Sequence, residues 1–553
     1  MPNRKQYLKP DKFLLIILAV ALILRLYFII SFDYISPDGT QYATLGYNLV
    51  HEFKYESNGA HFPDIIQPPL YPLLLGLVSI LFSSIMAGKI VSLIFGILLV
   101  LLVYHFVRSL KPEGNLAYFA ALLIAVHPGL IAVSSQVATE SLYLFLMMSI
   151  FVQGWFLINN PTIKNTIALA FLYVLAFMTR PEALLFFIVF IFIQAVLLFM
   201  KRMPVKLLFT NLIIFALGAS FYGISVSQEL GYFSISPKIN FVRAQGKFQA
   251  HQKRLIEKSG QKLDNKEIGL QARYALSADS SQLATHALLY KDAATIDLMN
   301  SSKEITVKKS GAVSGLFKYI FYNIKMVAYR IAKGIVTPIV YILFFVLGFF
   351  ALRKTLKARR KLLLYGFLMI TPLSVYLVTH IEERFLHLII PFGIVFFSAG
   401  LDYLAELFGK LISNENTKMV AITALVVLTI IPSYMLVTEK MEEKDYYRQL
   451  AGELKRIAGV DSKIASLVPH ISFFSEVKYC PVPFASLDGL SVYLKHQKAE
   501  FLFIEEKDFS KRPFLKKIVN SESDIFTKLK YGETSNTKYW LYQLKPTNPR
   551  GSL

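Results

Sequence analysis

The chain has 553 residues, of which 54% are hydrophobic and 17% charged, with a formal net charge of +22. A typical soluble domain carries about 25% charged residues, and no soluble core hides many apolar runs of about 20 residues; the composition therefore excludes an ordinary soluble protein and indicates a polytopic helical membrane protein. The positive charge then belongs to cytoplasmic loops and anionic lipid headgroups rather than to nucleic acid, and a single cysteine, Cys480, excludes an internal disulfide and a CxxC metal pattern.

The basic leader MPNRKQYLKPDK precedes the first apolar run, 13–32. Arg25 interrupts that run and no small-x-small cleavage site follows, so it reads as a membrane span rather than a signal peptide. Further runs lie at 88–107, 116–133, 141–158, 165–180, 182–200, 207–227, 332–352, 361–379, 384–401 and 419–437. Another, 70–86, contains PPLYP. It is short and broken by proline, and is expected to be a juxtamembrane element. About eleven spans remain.

Charge counting orients them. With the N-terminus cytoplasmic, the inside loops are RSLKPEGN, NNPTIKN, KRMPVK, RKTLKARRKL and 402–418, and each carries Lys or Arg. Counting 70–86 as a crossing would put KRMPVK and KARRK outside. The outer face then holds a loop at 33–87, a turn at 134–140, a long polar segment at 228–331 and a tail. Within 228–331, SGLFKYIFYNIKMVAYRIAKG (running on to 334) has the pattern of an amphipathic helix lying on the interface. The expected division is a transmembrane domain, 1–437, and an extracytoplasmic α/β domain, 438–553. In the latter EKDYYRQLAGELKRIAGV and SLDGLSVYLKHQ read as helices, and KIASLV, AEFLFIEE and KYWLYQL as strands.

Four outer-face phrases carry a resemblance: PDGTQYATLGYNL after the first span, QPPLYPLLLGL closing the same loop with Lys89 beyond it, VATESLYLFL, and LAFMTRPEALLFF followed far downstream by EERFLHLIIP. In this order they resemble membrane glycosyltransferases of the GT-C fold, in the protein O-mannosyltransferase-like branch that includes the lipid A aminoarabinose transferases. The resemblance covers roughly 8–200 and, locally, 380–392. It implies a polytopic GT-C fold and transfer of a sugar from a polyprenyl-phosphate (or pyrophosphate) donor to an acceptor hydroxyl on the outer face. The acceptor is a lipid, a glycan or a protein. The family's first-loop aspartate, its candidate base, falls on Asp38, and the acid of its second outer turn on Glu140. Many members have Asp-Glu where this chain has Asp38-Gly39, which removes a second adjacent acid.

The residues themselves fit that chemistry. Inverting transfer from a phosphate donor needs one base for the acceptor and no acid for the leaving group, unlike a glycosidase with its two carboxylates. Asp38 can take the proton as the new C–O bond forms; it is equally a good helix N-cap. Glu140 opens a span, where it caps or complements the helix dipole, or else steadies a divalent metal or the acceptor. Cations or a divalent metal must neutralise the departing phosphate. The candidates are Arg25 inside the first span, Lys89, Arg180 in TRPE and Arg384 in EERF, since a guanidinium fork suits phosphate oxygens. Each has a plainer reading: Arg25 snorkelling, Arg180 paired with Glu182, Arg384 paired with Glu382 or Glu383. His61 and Asp64 are expected on the loop surface, and Tyr42 and Tyr47 in interfacial packing. A transporter or flippase for lipid-linked sugars would bury charges mid-span in two similar halves, whereas here the acids gather at one face. The PPLYP phrase and first-loop aspartate weigh against a ligase.

Overall fold

A computed structural model describes residues 12–31, 35–56, 64–230, 233–236, 312–333, 337–354, 383–409, most of 446–545 and scattered positions between. His61, the segment 237–311, the loop 355–360, almost all of the run 361–379 and most of 419–437 lie outside the described residues. Cα packing divides the chain into two units. One comprises Met1–Val50, Gln67–Tyr222 and Lys309–Glu443; the other comprises His51–Ile66, Gly223–Lys308 and Lys444–Leu553.

The first unit is helical. Its elements are α1 (Lys12–Ser31), α2 (Pro37–His51), α3 (Leu70–Ser79), α4 (Ser84–Leu110), α5 (Leu116–Val126), α6 (Pro128–Val133), α7 (Glu140–Asn159), α8 (Ile163–Phe177), α9 (Ala183–Phe199), α10 (Val205–Leu230), α11 (Ala312–Ala332), α12 (Ile339–Lys354), a 3-10 turn (Glu383–Leu388) and α13 (Ile389–Gly409). Among the described residues four helices are long and apolar enough to cross a membrane: Lys12–Ser31, Ser84–Leu110, Glu140–Asn159 and Val205–Glu229. The pair Arg384–Phe392 and Ile394–Phe408, bent by 59°, makes a fifth if taken as one span. The protein is a multi-pass membrane protein with a mainly α fold.

Local sequence explains the departures from the expected runs. The apolar stretch 116–133 is two helices, not one. Pro128 has no amide hydrogen and disfavours helical backbone at the residue before it. His127 is accordingly extended (φ −65°, ψ 120°), and its ring nitrogen caps α6 by accepting the Leu130 amide at 3.3 Å. The stretch 70–86 gives the ten-residue α3, about 15 Å long at 1.5 Å per residue, half of a hydrocarbon core, and the first turn of α4. Pro338 stands just ahead of α12, leaving 312–332 to the separate, amphipathic α11.

α4 packs on α3, α5 and α7, and α7 packs in turn on α8. Among the described helices, α12 and α13 make the most intimate pair. A Cβ at Gly348 would strike the carbonyl of Phe396, and one at Gly400 the carbonyl of Phe344. Backbone thus touches backbone on both sides of this crossing.

In the second unit, α14 (Tyr446–Ile457), α15 (His470–Ser475) and α16 (Leu515–Asn520) accompany strands β1 (Lys463–Ser466), β2 (Lys478–Pro481), β3 (Phe501–Glu505), β4 (Phe526–Glu533) and β5 (Lys538–Leu544). The sheet order is β2-β1-β3-β5-β4, parallel across β2-β1-β3 and antiparallel beyond, with Ile464 opposite Phe501 and Ile504 opposite Trp540. Tyr447, Leu450 and Leu454 of α14 cover one face. Leu515 and Ile518 of α16 cover the other. At the end of β3 the fully buried Glu505 is ligated by the hydroxyls of Tyr446 and Tyr447 and by Lys507 Nζ at 3.0 Å. Burial first, and then the adjacent carboxylate, raise the pKa of both phenols.

Candidate active site

The site is built where α2, the turn before α7, the turn after α8 and the 3-10 turn before α13 meet. Ser36 begins it. Its Oγ accepts the Gly39 amide at 3.0 Å and its carbonyl accepts the Thr40 amide at 3.0 Å. Ser36 therefore caps α2 and Pro37 takes the first helical position, as proline prefers. Asp38 is not the cap; it stands in the first turn.

Gly39 sets how closely that turn approaches α7. A Cβ there would lie 2.8 Å from the carbonyl oxygen of Val137 and 2.9 Å from Ile35 Cγ1. Only glycine lets α2 rest on the 137–140 turn. Tyr71 of α3 holds the same turn from the other side. Its hydroxyl accepts the Ala138 amide at 2.9 Å and lies 3.1 Å from both the Gly88 carbonyl and Ser92 Oγ. Ser92 Oγ donates to the Ala138 carbonyl at 3.2 Å, and Ser141 Oγ to the Ser92 carbonyl at 2.7 Å. The Tyr71 ring meets the Tyr42 ring edge-on at 5.5 Å, and the Leu70 amide donates to the Met178 carbonyl at 2.9 Å, close to Arg180.

These ties bring four charged side chains together. Arg384 Nη2 lies 2.9 Å from Asp38 Oδ2, and its Nη1 lies 3.2 Å from Glu140 Oε1. Arg180 Nη1 donates to that same Glu140 oxygen at 2.9 Å, and its Nε lies 3.7 Å from Glu182 Oε2. Phe385 borders both guanidinium groups, its ring centre 4.3 Å from Arg180 Cζ and 5.5 Å from Arg384 Cζ. Tyr143 flanks Arg180 at 5.6 Å. Such contacts over ring faces favour the cation.

Burial divides the cluster into a fixed and a reachable half. The Glu140 and Arg180 side chains are 5% and 8% exposed, against 42% for Asp38 and 36% for Arg384. Burial alone would lower the pKa of Arg180, but the carboxylates of Glu182 and Glu140 outweigh it and raise the pKa above its ordinary value. Burial, aided by the charges of Asp38 and Glu140, pushes the Tyr42 phenol up, so Tyr42 stays a neutral donor, here to Gln67 at 3.2 Å.

The remaining predicted residues lie elsewhere. Arg25 is buried and acts as a cross-link, with Nε donating to Ser134 Oγ at 2.8 Å and Nη1 to the carbonyls of Ala21 and Ala125 at 3.0 and 2.9 Å. Lys89, also buried, donates to the Ile29 carbonyl at 3.4 Å. Asp64, in the second unit, is buried rather than on the loop surface, and its Oδ1 accepts the Ile66 amide at 2.9 Å in a local turn. Tyr47 is exposed. Sequence reading missed Ser36, Tyr71 and Phe385. The last had a signal, since an aromatic directly follows Arg384; for Tyr71 only its place inside PPLYP hinted at a buried role.

The donor set does not suit a dedicated metal cage. Asp38 and Glu140 are both salted to arginine, and among the described residues no group of three or more His, Cys, Asp or Glu could hold a metal ion. What the cluster offers is a solvent-reachable carboxylate beside two guanidinium groups. Separately, an apolar crevice lined by Met147, Phe151, Phe186, Phe190 and Phe392 opens among α7, α8, α9 and α13.

No protein-family model matches the chain, and no curated protein matches it in sequence. Solved structures do match. ArnT from Cupriavidus metallidurans in the apo state superposes with a TM-score of 0.56 at 10% identity, over 95% of this chain and 97% of that one. The same enzyme bound to undecaprenyl phosphate gives 0.52 at 11% identity over the same shares. The likeness is one of fold, and the fold is the polytopic GT-C architecture that the sequence motifs imply.

Proposed function

We propose that the protein is an integral membrane glycosyltransferase that moves a sugar from a polyprenyl-phosphate-linked donor to the hydroxyl of a lipid, glycan or protein acceptor. One observation carries the reading: Asp38, Arg384, Glu140 and Arg180 form a single cluster at 2.9–3.2 Å, in a fold shared with an enzyme solved with undecaprenyl phosphate bound. The basic inside loops favour a cytoplasmic N-terminus, with the cluster and the α/β unit outside the cell membrane.

In this mechanism the acceptor oxygen attacks the anomeric carbon from the face opposite the phosphate. The new C–O bond forms as the C1–O(phosphate) bond breaks, and inversion follows from the single displacement. Asp38, half-exposed, accepts the hydroxyl proton, which is general-base work worth about 10²–10⁴-fold. The electron pair leaves on the phosphate oxygen, where Arg180 and Arg384 balance the charge. Glu140 holds the two arginines in place, and the Phe385 ring packs against both. No step needs a metal, because the two guanidinium groups supply the cationic charge.

Mass spectrometry of lipid co-purified with the full-length protein tests the reading. A prenyl phosphate or prenyl-phosphate sugar is expected. Bound lipid with no prenyl phosphate in any form, together with no transfer from lipid-linked sugars, would overturn it.

A further inference from the structure

The two arginines are held differently. Arg180 is buried against Glu140, whereas Arg384 spans from the buried Glu140 to the half-exposed Asp38. The same side chain that is suited to the donor phosphate is therefore bound to the base. A guanidinium nitrogen 2.9 Å from Asp38 Oδ2 occupies that oxygen and stands in the way of an incoming hydroxyl. Base and phosphate thus compete for one guanidinium.

We propose that Arg384 is an exchange residue: it masks Asp38 until a donor phosphate takes it, so that donor binding uncovers the base. The proposal rests on the donor and base roles given above and adds an order to them. Geometry favours the exchange at the Asp38 end. The contact with Asp38 is the solvent-reachable one, and an exposed ion pair shifts an equilibrium by no more than about fivefold. A charge-assisted contact to phosphate is worth at least about tenfold. Glu140 is 5% exposed and shares its Oε1 with Arg180, so it keeps Arg384 in reach while the Asp38 contact is given up. When the donor arrives, Nη2 passes from the Asp38 carboxylate to a phosphate oxygen, and no covalent bond changes. In the transfer that follows, Asp38 takes the acceptor's proton and Arg384 stays on the departing phosphate. Without donor the base is covered, which prevents unproductive engagement of acceptor or water.

The exchange predicts a sign that no purely supporting role of Asp38 would give. Removing the carboxylate removes Arg384's competing partner, so Asp38→Asn should bind phosphate more tightly than the wild type. The experiment measures undecaprenyl phosphate affinity for the full-length protein in phosphatidylcholine nanodiscs, comparing wild type, Asp38→Asn, Arg384→Ala and the double variant. Asp38→Asn is expected to bind about three- to fivefold tighter, the scale of an exposed ion pair. In the Arg384→Ala background the same change should do nothing. Equal or weaker binding by Asp38→Asn overturns the exchange. So does an equal gain with Arg384 absent, which would be plain relief of charge repulsion. Asp38→Ala is the second variant should the Asn protein fail to fold. Turnover separates this from the base assignment: an inactive Asp38→Asn with unchanged affinity sinks the exchange and leaves the base, and an active one sinks the base.

Discussion

Ser36 Oγ receives the Gly39 amide at 3.0 Å, and with it the task of capping α2. Asp38, two positions on, is thereby released from capping. The two residues should therefore separate cleanly on mutation. Ser36→Ala should cost about 1 kcal/mol of stability with transfer largely kept. Asp38→Asn should unfold at nearly the wild-type temperature yet lose at least about 10²-fold in transfer rate. Thermal unfolding and turnover of both variants decide it; an active Asp38→Asn ends the base assignment.

Arg180 and Arg384 share a carboxylate but not an environment. Arg180→Ala leaves Glu140 buried with a weaker set of partners and should destabilise by about 3 kcal/mol, the low end for a broken buried pair because Arg384 stays. Arg384→Ala should cost no more than about 1 kcal/mol. Both should weaken prenyl-phosphate binding about tenfold or more. Adding Glu140→Gln to Arg180→Ala should recover stability without recovering affinity, as denaturation and lipid-binding curves on the same preparations will register.

Tyr71→Phe keeps the ring against Tyr42 but removes the acceptor of the Ala138 amide. An orphaned buried donor costs about 1–3 kcal/mol. The turn bearing Glu140 should loosen, and transfer should fall about ten- to hundredfold, as expected for a displaced catalytic group. Wild-type turnover in a folded Tyr71→Phe protein would mean that the turn is fixed without this hydroxyl.

Chelation probes the cation supply. With Asp38 and Glu140 committed to arginine, excess EDTA should leave the transfer rate within about twofold, whereas loss of a catalytic Lewis acid would cost several kcal/mol. Abolition by EDTA and recovery with a divalent ion would show that a metal carries the phosphate charge instead.

Orientation is open to labelling, since the native Cys480 is buried. Glu113 and Lys528 are both exposed. In intact cells an impermeant maleimide should modify Lys528→Cys and spare Glu113→Cys until lysis. The reverse pattern would invert the membrane topology.

Much of the fold was legible in the chain because hydrophobic length speaks directly to a bilayer. The break at His127-Pro128 was not read, although the proline signals it, because a continuous apolar run hid it. In the α/β unit β1, β3 and β5 announced themselves by buried apolar residues. β2, only KYCP, was too short, and β4, FTKLKYGE, carries lysines along a largely exposed edge, the pattern that keeps edges from pairing. The four charged residues were visible one by one. Their partnership was not. Arg384 was expected beside Glu382 or Glu383, its chain neighbours; Glu382 lies outside the described residues, and the contacts with Asp38 and Glu140 were not foreseen. Ion pairs across hundreds of residues depend on helix packing, which has no local signature. Asp64 looked like loop surface for the same reason: its burial comes from tertiary context.

The reciprocal glycine contact of α12 and α13 bears on biogenesis. Asp38, Glu140 and Arg180 leave the ribosome within the first third of the chain, while Arg384 follows after some two hundred further residues. Until then the nascent protein holds Asp38 without its arginine and Glu140 with only one of two. Docking of α12 on α13 through Gly348 and Gly400 fixes the helix that begins just after Arg384. Late insertion of that pair is therefore expected to complete the charge cluster, and a chain cut before it to reach the membrane without transfer activity.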